Sequence, residues 1–223
     1  MAASASQVRS ALSSLADDGV ARLAAVLAQL DGTPESIRGY LLDLTPVLIS
    51  AYSDGTSSLA ADWYDDLREQ AAPAKSFSAE PVVVERWEKV GRMVAWSAQP
   101  LFLPEPDREL VAKRLLPSVQ KEIARPFRDT ITTNRRRDPS AIGWRRISGG
   151  GCDFCKRLAG RGAVYMESTA HFAAHTHCHC TAAPAFDGEP VVEASVMQYV
   201  ASKRHKTAAD RARIRAWLAS PED

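Results

Sequence analysis

Long apolar runs are missing from this chain of 223 residues. The longest stretches, such as Leu41 to Ala51, are interrupted by Asp43 and Pro46, and none reaches the roughly 20 residues that a membrane-spanning helix needs. The opening Met-Ala-Ala-Ser-Ala-Ser lacks the basic and apolar regions of a secretory signal. The expectation is a soluble protein made in a cytoplasm. Familiar catalytic patterns are missing too. There is no His-Glu-x-x-His, no His-x-Glu followed by Pro-Cys-x-x-Cys, no nucleophile elbow and no papain-like cysteine context. The glycine triplet 149–151 lacks the Gly-Lys-Ser/Thr ending of a phosphate-cradling loop. The chain therefore reads as having no active site.

What is present is an ordinary globular composition, 45% hydrophobic and 25% charged, which excludes wholesale disorder. The length suits one medium domain, or one domain plus a small module, and can bury a core without cross-links. The formal net charge of +1 hides an asymmetry. Residues 1–80 carry 11 acids against 5 bases, whereas residues 121–161 carry 11 bases against 4 acids. The basic stretch, with Arg135, Arg136, Arg137, Arg145 and Arg146 at its centre, could meet nucleic acid or an acidic protein surface. The same charges could equally be a solvated helix face with a basic linker.

The first two thirds read as helices. From Ser4, the residues Val8, Leu12, Leu15, Leu23, Val26 and Leu30 recur at largely helical spacing, and Asp31-Gly32 supplies a stop. Thr33-Pro34 starts a second helix, with threonine as N-cap and proline in the first turn. Ile37, Leu41, Leu44 and Leu48 mark its stripe, and Pro46 and Ser53-Asp54-Gly55 are expected to kink or break it. Leu59, Trp63 and Leu67 continue a helical face, and 71–78 is a loop. Val84, Trp87, Val90 and Val94 make a further helix. A long one follows along Val111, Leu115, Val119, Ile123, Phe127 and Ile131, kinked at Pro126. At Asp138-Pro139 the character changes. Strands are expected within 143–151, at 163–166 and at 180–186, before a C-terminal helix introduced by Thr207-Ala208-Ala209-Asp210.

All four cysteines, Cys152, Cys155, Cys178 and Cys180, lie in one window with four of the five histidines, His171, His175, His177 and His179. Disulfides would be unusual in a reducing compartment. Buried free thiols leave the Cys-x-x-Cys spacing unexplained. A metal accounts for spacing, clustering and compartment together, because two cysteines three apart present both thiolates to one ion and the preceding glycines let the backbone turn. Sulfur with imidazole favours zinc over oxygen-loving cations. Cys152 and Cys155 form the first half of the site. The second half comes from His175, His177, Cys178 and Cys180. In an extended segment Cys178 and Cys180 point to one side, so either both ligate or one does so with a histidine; Cys180 and His175 rank ahead. A thiolate-rich, closed set is structural, not hydrolytic.

Gly151-Cys152-Asp153-Phe154-Cys155, then Leu158-Ala159-Gly160-Arg161-Gly162-Ala163-Val164-Tyr165, then His175-Thr176-His177-Cys178-His179-Cys180, resemble the C-terminal module of MuF-like phage head morphogenesis proteins. They are similar in particular to the minor capsid proteins of tailed phages infecting actinobacteria, as is the segment from Leu59 to Arg68. The family closure commonly reads His-Pro-x-Cys-Arg-Cys, and the additional imidazoles here leave the fourth ligand open. The resemblance implies a structural minor head protein at or near the portal, acting in head assembly and in DNA packaging or ejection. Its partners would be portal or major capsid protein, and packaged DNA. Rival readings are a DNA-binding packaging or ejection factor, a head maturation protease, and a host zinc scaffold. The expected architecture is mainly α: an elongated multi-helix body over 1–140, a zinc-bound β module over 141–190, and a helical tail over 191–223. Location would be the virion head after synthesis in the host cytoplasm, with no membrane contact.

Overall fold

The computed structural model describes residues 3–147, 159–160 and 181–186. These form five α-helices, one 3-10 turn and two strands, so the protein is mainly helical. The helix α1 (Ala5–Gln29) begins with a capping box: Ser4 Oγ accepts from the Gln7 amide at 3.2 Å, and the Gln7 side chain accepts from the Ser4 amide at 2.8 Å. Its buried face runs Val8, Leu12, Ala16, Gly19 and Leu23. The large apolar residues alone suggest a somewhat different stripe, because they overlook Ala16 and Gly19. Those small residues let α1 approach its neighbours closely. A Cβ on Gly19 would fall 2.5 Å from the Ile123 side chain and 3.2 Å from that of Tyr52.

Helix α2 (Pro34–Ala71) is capped by Thr33, whose hydroxyl accepts from the Ser36 amide. It passes without a break through Pro46 and through Ser53-Asp54-Gly55, which corrects the expected interruption. Proline removes one backbone bond, but the residues around it bury Leu41, Thr45 and Ile49, and this packing outweighs the local loss. The hydroxyls of Ser53, Thr56 and Ser57 bond back to the carbonyls of Ile49, Ser53 and Asp54, so these polar side chains lie within the helix instead of ending it. The helix stops at Ala72, in the left-handed region at φ 44°.

Residues 73–86 follow without regular structure, and α3 (Trp87–Ser97) starts later than expected. Val84 belongs to the preceding strap, where it is exposed. The strap is held by side chains of a later helix. Asn134 accepts from the Glu80 amide at 2.9 Å and donates to the Glu80 carbonyl at 2.7 Å, while the Thr130 hydroxyl accepts from the Val82 amide at 2.9 Å. Two residues of extended chain cover about 6.6 Å and four residues of helix about 6 Å, which is why an i, i+4 pair can grip residues 80 and 82.

After the 3-10 turn (Gln99–Phe102) come α4 (Arg108–Ile123), capped by Asp107, and α5 (Arg125–Arg137). The expected single kinked helix is thus two helices separated at Ala124. Pro126 cannot donate to the carbonyl one turn back, so the ladder ends just ahead of it. Thr56 of α2 bonds the Ile123 carbonyl at 3.1 Å at this break. The buried stripe nevertheless continues across it: Val111, Leu115, Val119, Ile123, Phe127 and Ile131 are all buried.

The core has two lobes that α1 and α2 both cross. One gathers Leu23, Leu41, Val94, Leu115 and Ile123 with neighbours from α1 to α4. The other joins Val8, Trp63, Tyr64, Phe127 and Ile131 to the strands β1 (Ala141–Ile147) and β2 (Thr181–Phe186) through Trp144, Ala182, Ala183 and Phe186. The strands pair antiparallel, with Trp144 opposite Pro184 and Ile147 opposite Thr181. Strands were expected at both places. The third expected strand at 163–166 and the C-terminal helix lie outside the described residues. Among the described residues, no helix is long and apolar enough to cross a membrane.

Candidate functional site

The chain enters β1 through a buried polar junction. Asp138 caps the end of α5, its amide donating to the Asn134 carbonyl at 2.8 Å, and its carboxylate then gathers partners from α2 and from the turn before β1. Arg68 Nε of α2 donates to Asp138 Oδ2 at 2.8 Å, Tyr64 Oη to the same oxygen at 3.3 Å, and the Ser140 amide to Oδ1 at 2.9 Å. Arg68 also donates to the Lys75 carbonyl and lies over the Phe77 ring. Burial drives the Tyr64 hydroxyl far above its ordinary range, and the Asp138 carboxylate adds to this, so the phenol stays protonated. The junction sets the direction in which β1 leaves the helical body.

Under the strands, Phe186 meets Tyr64 edge to face at 6.0 Å, and Trp63 stands 5.9 Å from Phe127. All six residues of β2 are buried. Its small alanines allow the strand to sit against α5 and α2. The pairing of Ile147 with Thr181 has a further consequence: it joins the two ends of the segment 148–180, which carries every cysteine of the chain. Cys152, Cys155, His175, Cys178 and Cys180 themselves lie outside the described residues. Among the described residues, no three His, Cys, Asp or Glu side chains are grouped to hold a metal.

The five arginines singled out from the sequence are all described, and they differ in burial and in the partners they meet. Arg135 donates to the Ile142 carbonyl at 3.0 Å and thereby ties α5 to β1. Arg137 pairs with Glu80 of the strap at 2.8 Å. Arg146 is buried, Arg145 is half-buried and Arg136 is exposed. Two members of the basic stretch, Arg135 and Arg137, thus tie β1 and the strap to α5.

A second charged group lies where α3 meets the α4–α5 break. Glu122 is buried and accepts from Lys89 Nζ at 2.7 Å and from Arg125 Nε and Nη2 at 2.8 Å each. Burial alone would push its carboxyl up, but the bonds from Arg125 and Lys89 outweigh that and leave it below its ordinary value. One turn further along α5, Arg86 pairs with Asp129 at 2.8 Å. Lys121, half-buried beside them, is pushed down, first by burial and then by the charges of Arg125 and Lys89. Sequence reasoning included Lys121 and Arg125 in the basic stretch but not Lys89, which only the packing of α3 brings to them. A lysine on the polar side of an amphipathic helix carries no local signal of such a role.

The model of the VG15 protein family matches residues 1–206, and the chain belongs to this family of phage-associated viral proteins. No curated protein and no solved structure matches the chain.

Proposed function

We propose that this chain is a structural minor head protein of a tailed bacteriophage, placed at or near the portal, where it acts in head assembly and in DNA packaging or ejection. Its membership of a phage-associated family over nearly the whole chain carries this reading. Portal or major capsid protein is the proposed partner, with packaged DNA as a further contact. The role is architectural and not enzymatic.

A structural zinc ion belongs to this proposal. Cys152 and Cys155, with two of His175, Cys178 and Cys180, would hold it, and thiolate with imidazole is a donor set suited to zinc. Two observations support the fit. Both donor groups fall between β1 and β2, and the pairing of Ile147 with Thr181 draws the ends of that segment together, as a site built from two separated clusters requires. Bound there, the metal would supply a cross-link to a segment with few large apolar residues, so that its binding energy acts as folding energy. The zinc module is proposed to span 141–190, rooted in the helical body of 1–140 through the shared core of Trp144 and Phe186 and followed by a tail over 191–223.

The test is quantitative mass spectrometry of purified mature virions, together with zinc content of the isolated protein. A few copies per particle and one zinc per chain are expected. Hundreds of copies would indicate a major structural or decoration protein. Absence from virions with presence in proheads would make it an assembly factor and overturn the reading.

A further inference from the structure

The first half of α2 turns apolar and acidic side chains to solvent together. Tyr40, Asp43, Val47 and Asp54 are all exposed, and Val47, at 66%, is the most exposed large apolar residue among those described. At about 100° per residue the four fall within an arc of about 60° and span about 21 Å along the axis. Neither carboxylate has a cation within ion-pair distance among the described residues. Arg38, the only base between Pro34 and Asp54, stands on the other side of the helix. It lies about 140–180° around the axis from each member of the stripe. There it sits over the exposed Phe102 ring at 4.9 Å, next to the exposed Leu103. Arg114 of α4 sits in the same way over the exposed Trp96 ring at 4.8 Å. Helical rise along α3 and the 3-10 turn keeps Trp96 and Phe102 within about 11 Å of each other. Neither guanidinium has a carboxylate bonded to it among the described residues. Of the acids that follow Leu103, Asp107 caps α4 and Glu109 pairs with Lys113, which leaves Glu105.

We propose that these two faces bind each other between copies of this chain. They are complementary in kind. One carries two acids with an aliphatic side chain and a phenol, and the other carries two arginines with two aromatic rings. An arginine stacked on a ring keeps its N–H donors for a planar carboxylate, and Trp with Arg is the commonest anchor of protein interfaces. Asp43 and Asp54 supply the carboxylates, while Tyr40 and Val47 supply apolar area for the rings. A nucleic acid or an anionic membrane would attract the arginines and repel the acids, whereas a second copy satisfies both. Because the faces lie on opposite sides of α2, one chain cannot join its own two. A contact between two copies also leaves one face of each kind open to a third. The association is therefore head-to-tail, and it closes into a ring or extends as a filament. The inference stands on exposure, charge and helix geometry and does not depend on the head-protein reading.

Sedimentation velocity of the full chain over a concentration series tests this. Self-association that weakens as salt is raised is expected. Asp43→Arg with Asp54→Arg should weaken it at least about tenfold, because like charges then meet across the contact. Arg38→Gln with Arg114→Gln, which spoils the other face, should weaken it as well. Mixed in equal amounts, the two double variants keep one intact pair of faces between them. They are expected to form a one-to-one dimer and nothing larger, and that dimer also shows that both variants are folded. The proposal is overturned by a wild type that stays monomeric, which would assign the two faces to other partners, or by association insensitive to salt. Unchanged association in either variant, no dimer in the mixture, or growth of the mixture beyond a dimer would overturn it too.

Discussion

Arg68 of α2 and Asp138 at the end of α5 form a 2.8 Å ion pair with side-chain exposures of only 10% and 0%. Removing one partner of such a pair leaves the other charged and poorly solvated, which typically costs 3–5 kcal/mol. Asp138→Ala is therefore expected to destabilise the fold by about 3 kcal/mol, since Arg68 keeps the Lys75 carbonyl as partner. Tyr64→Phe, which removes only a 3.3 Å hydroxyl contact, should cost about 1 kcal/mol. Urea unfolding followed by circular dichroism measures both. Equal effects would mean that the carboxylate is not the centre of the junction.

Three small-residue positions separate backbone freedom from packing. Gly55 lies inside α2 with open space where a Cβ would go, so Gly55→Ala should stabilise by about 1 kcal/mol. Ala72 ends the same helix at φ 44°, where glycine carries no steric penalty, and Ala72→Gly should also stabilise by about 1 kcal/mol. Gly19→Ala gains the same helix propensity but drives its Cβ into Ile123 and Tyr52. Overpacking of this kind costs about 1–3 kcal/mol, so the net change is zero or destabilising. Thermal melts of the three variants give the signs directly, and stabilisation by Gly19→Ala would show that α1 does not approach α4 as closely as described.

Local signals in the sequence were reliable where the local chain decides the structure. The cap at Thr33 with Pro34, the stripe from Val111 to Ile131 and the change of character at Asp138-Pro139 all correspond to features of the fold. The misses are places where distant groups decide. Helix α2 survives Pro46 and Gly55 because its flanks are packed, and Val84 is kept out of α3 within a strap anchored by Thr130 and Asn134. The cysteine spacing supports only the proposal of a metal, and nothing near Ile147 announces that Thr181 will lie beside it. Lys89 likewise joins Glu122 only through tertiary packing.

Metal removal should act on one lobe of the core more than the other. If zinc closes the segment between β1 and β2, a chelator lowers amide protection at 141–147 and 181–186 first, because these strands frame the segment. The lobe of Leu41, Val94 and Leu115 is built from α1 to α4 without either strand and should keep its protection. Hydrogen exchange with and without chelator measures this, with Cys152→Ser as the variant that should reproduce the chelated pattern. Equal protection in both conditions would count against a structural metal.

The cluster around Glu122 predicts opposite responses from two neighbouring residues. Glu122 titrates below its ordinary value of 4.5, so its contribution to stability is fully present above that pH and is lost as pH falls through the lower folded value. Glu122→Gln should therefore lose about 1–2 kcal/mol at neutral pH, a figure reduced because Lys89 and Arg125 remain partly solvated, and should show a flatter acid limb. Lys121 is displaced downward, the unfavourable direction for a cation, so its charge opposes folding at neutral pH. Lys121→Met should accordingly raise the unfolding midpoint, with the advantage shrinking as pH climbs through the folded value towards the ordinary 10.5. A fall in the midpoint at neutral pH would show that the ammonium is compensated within the fold.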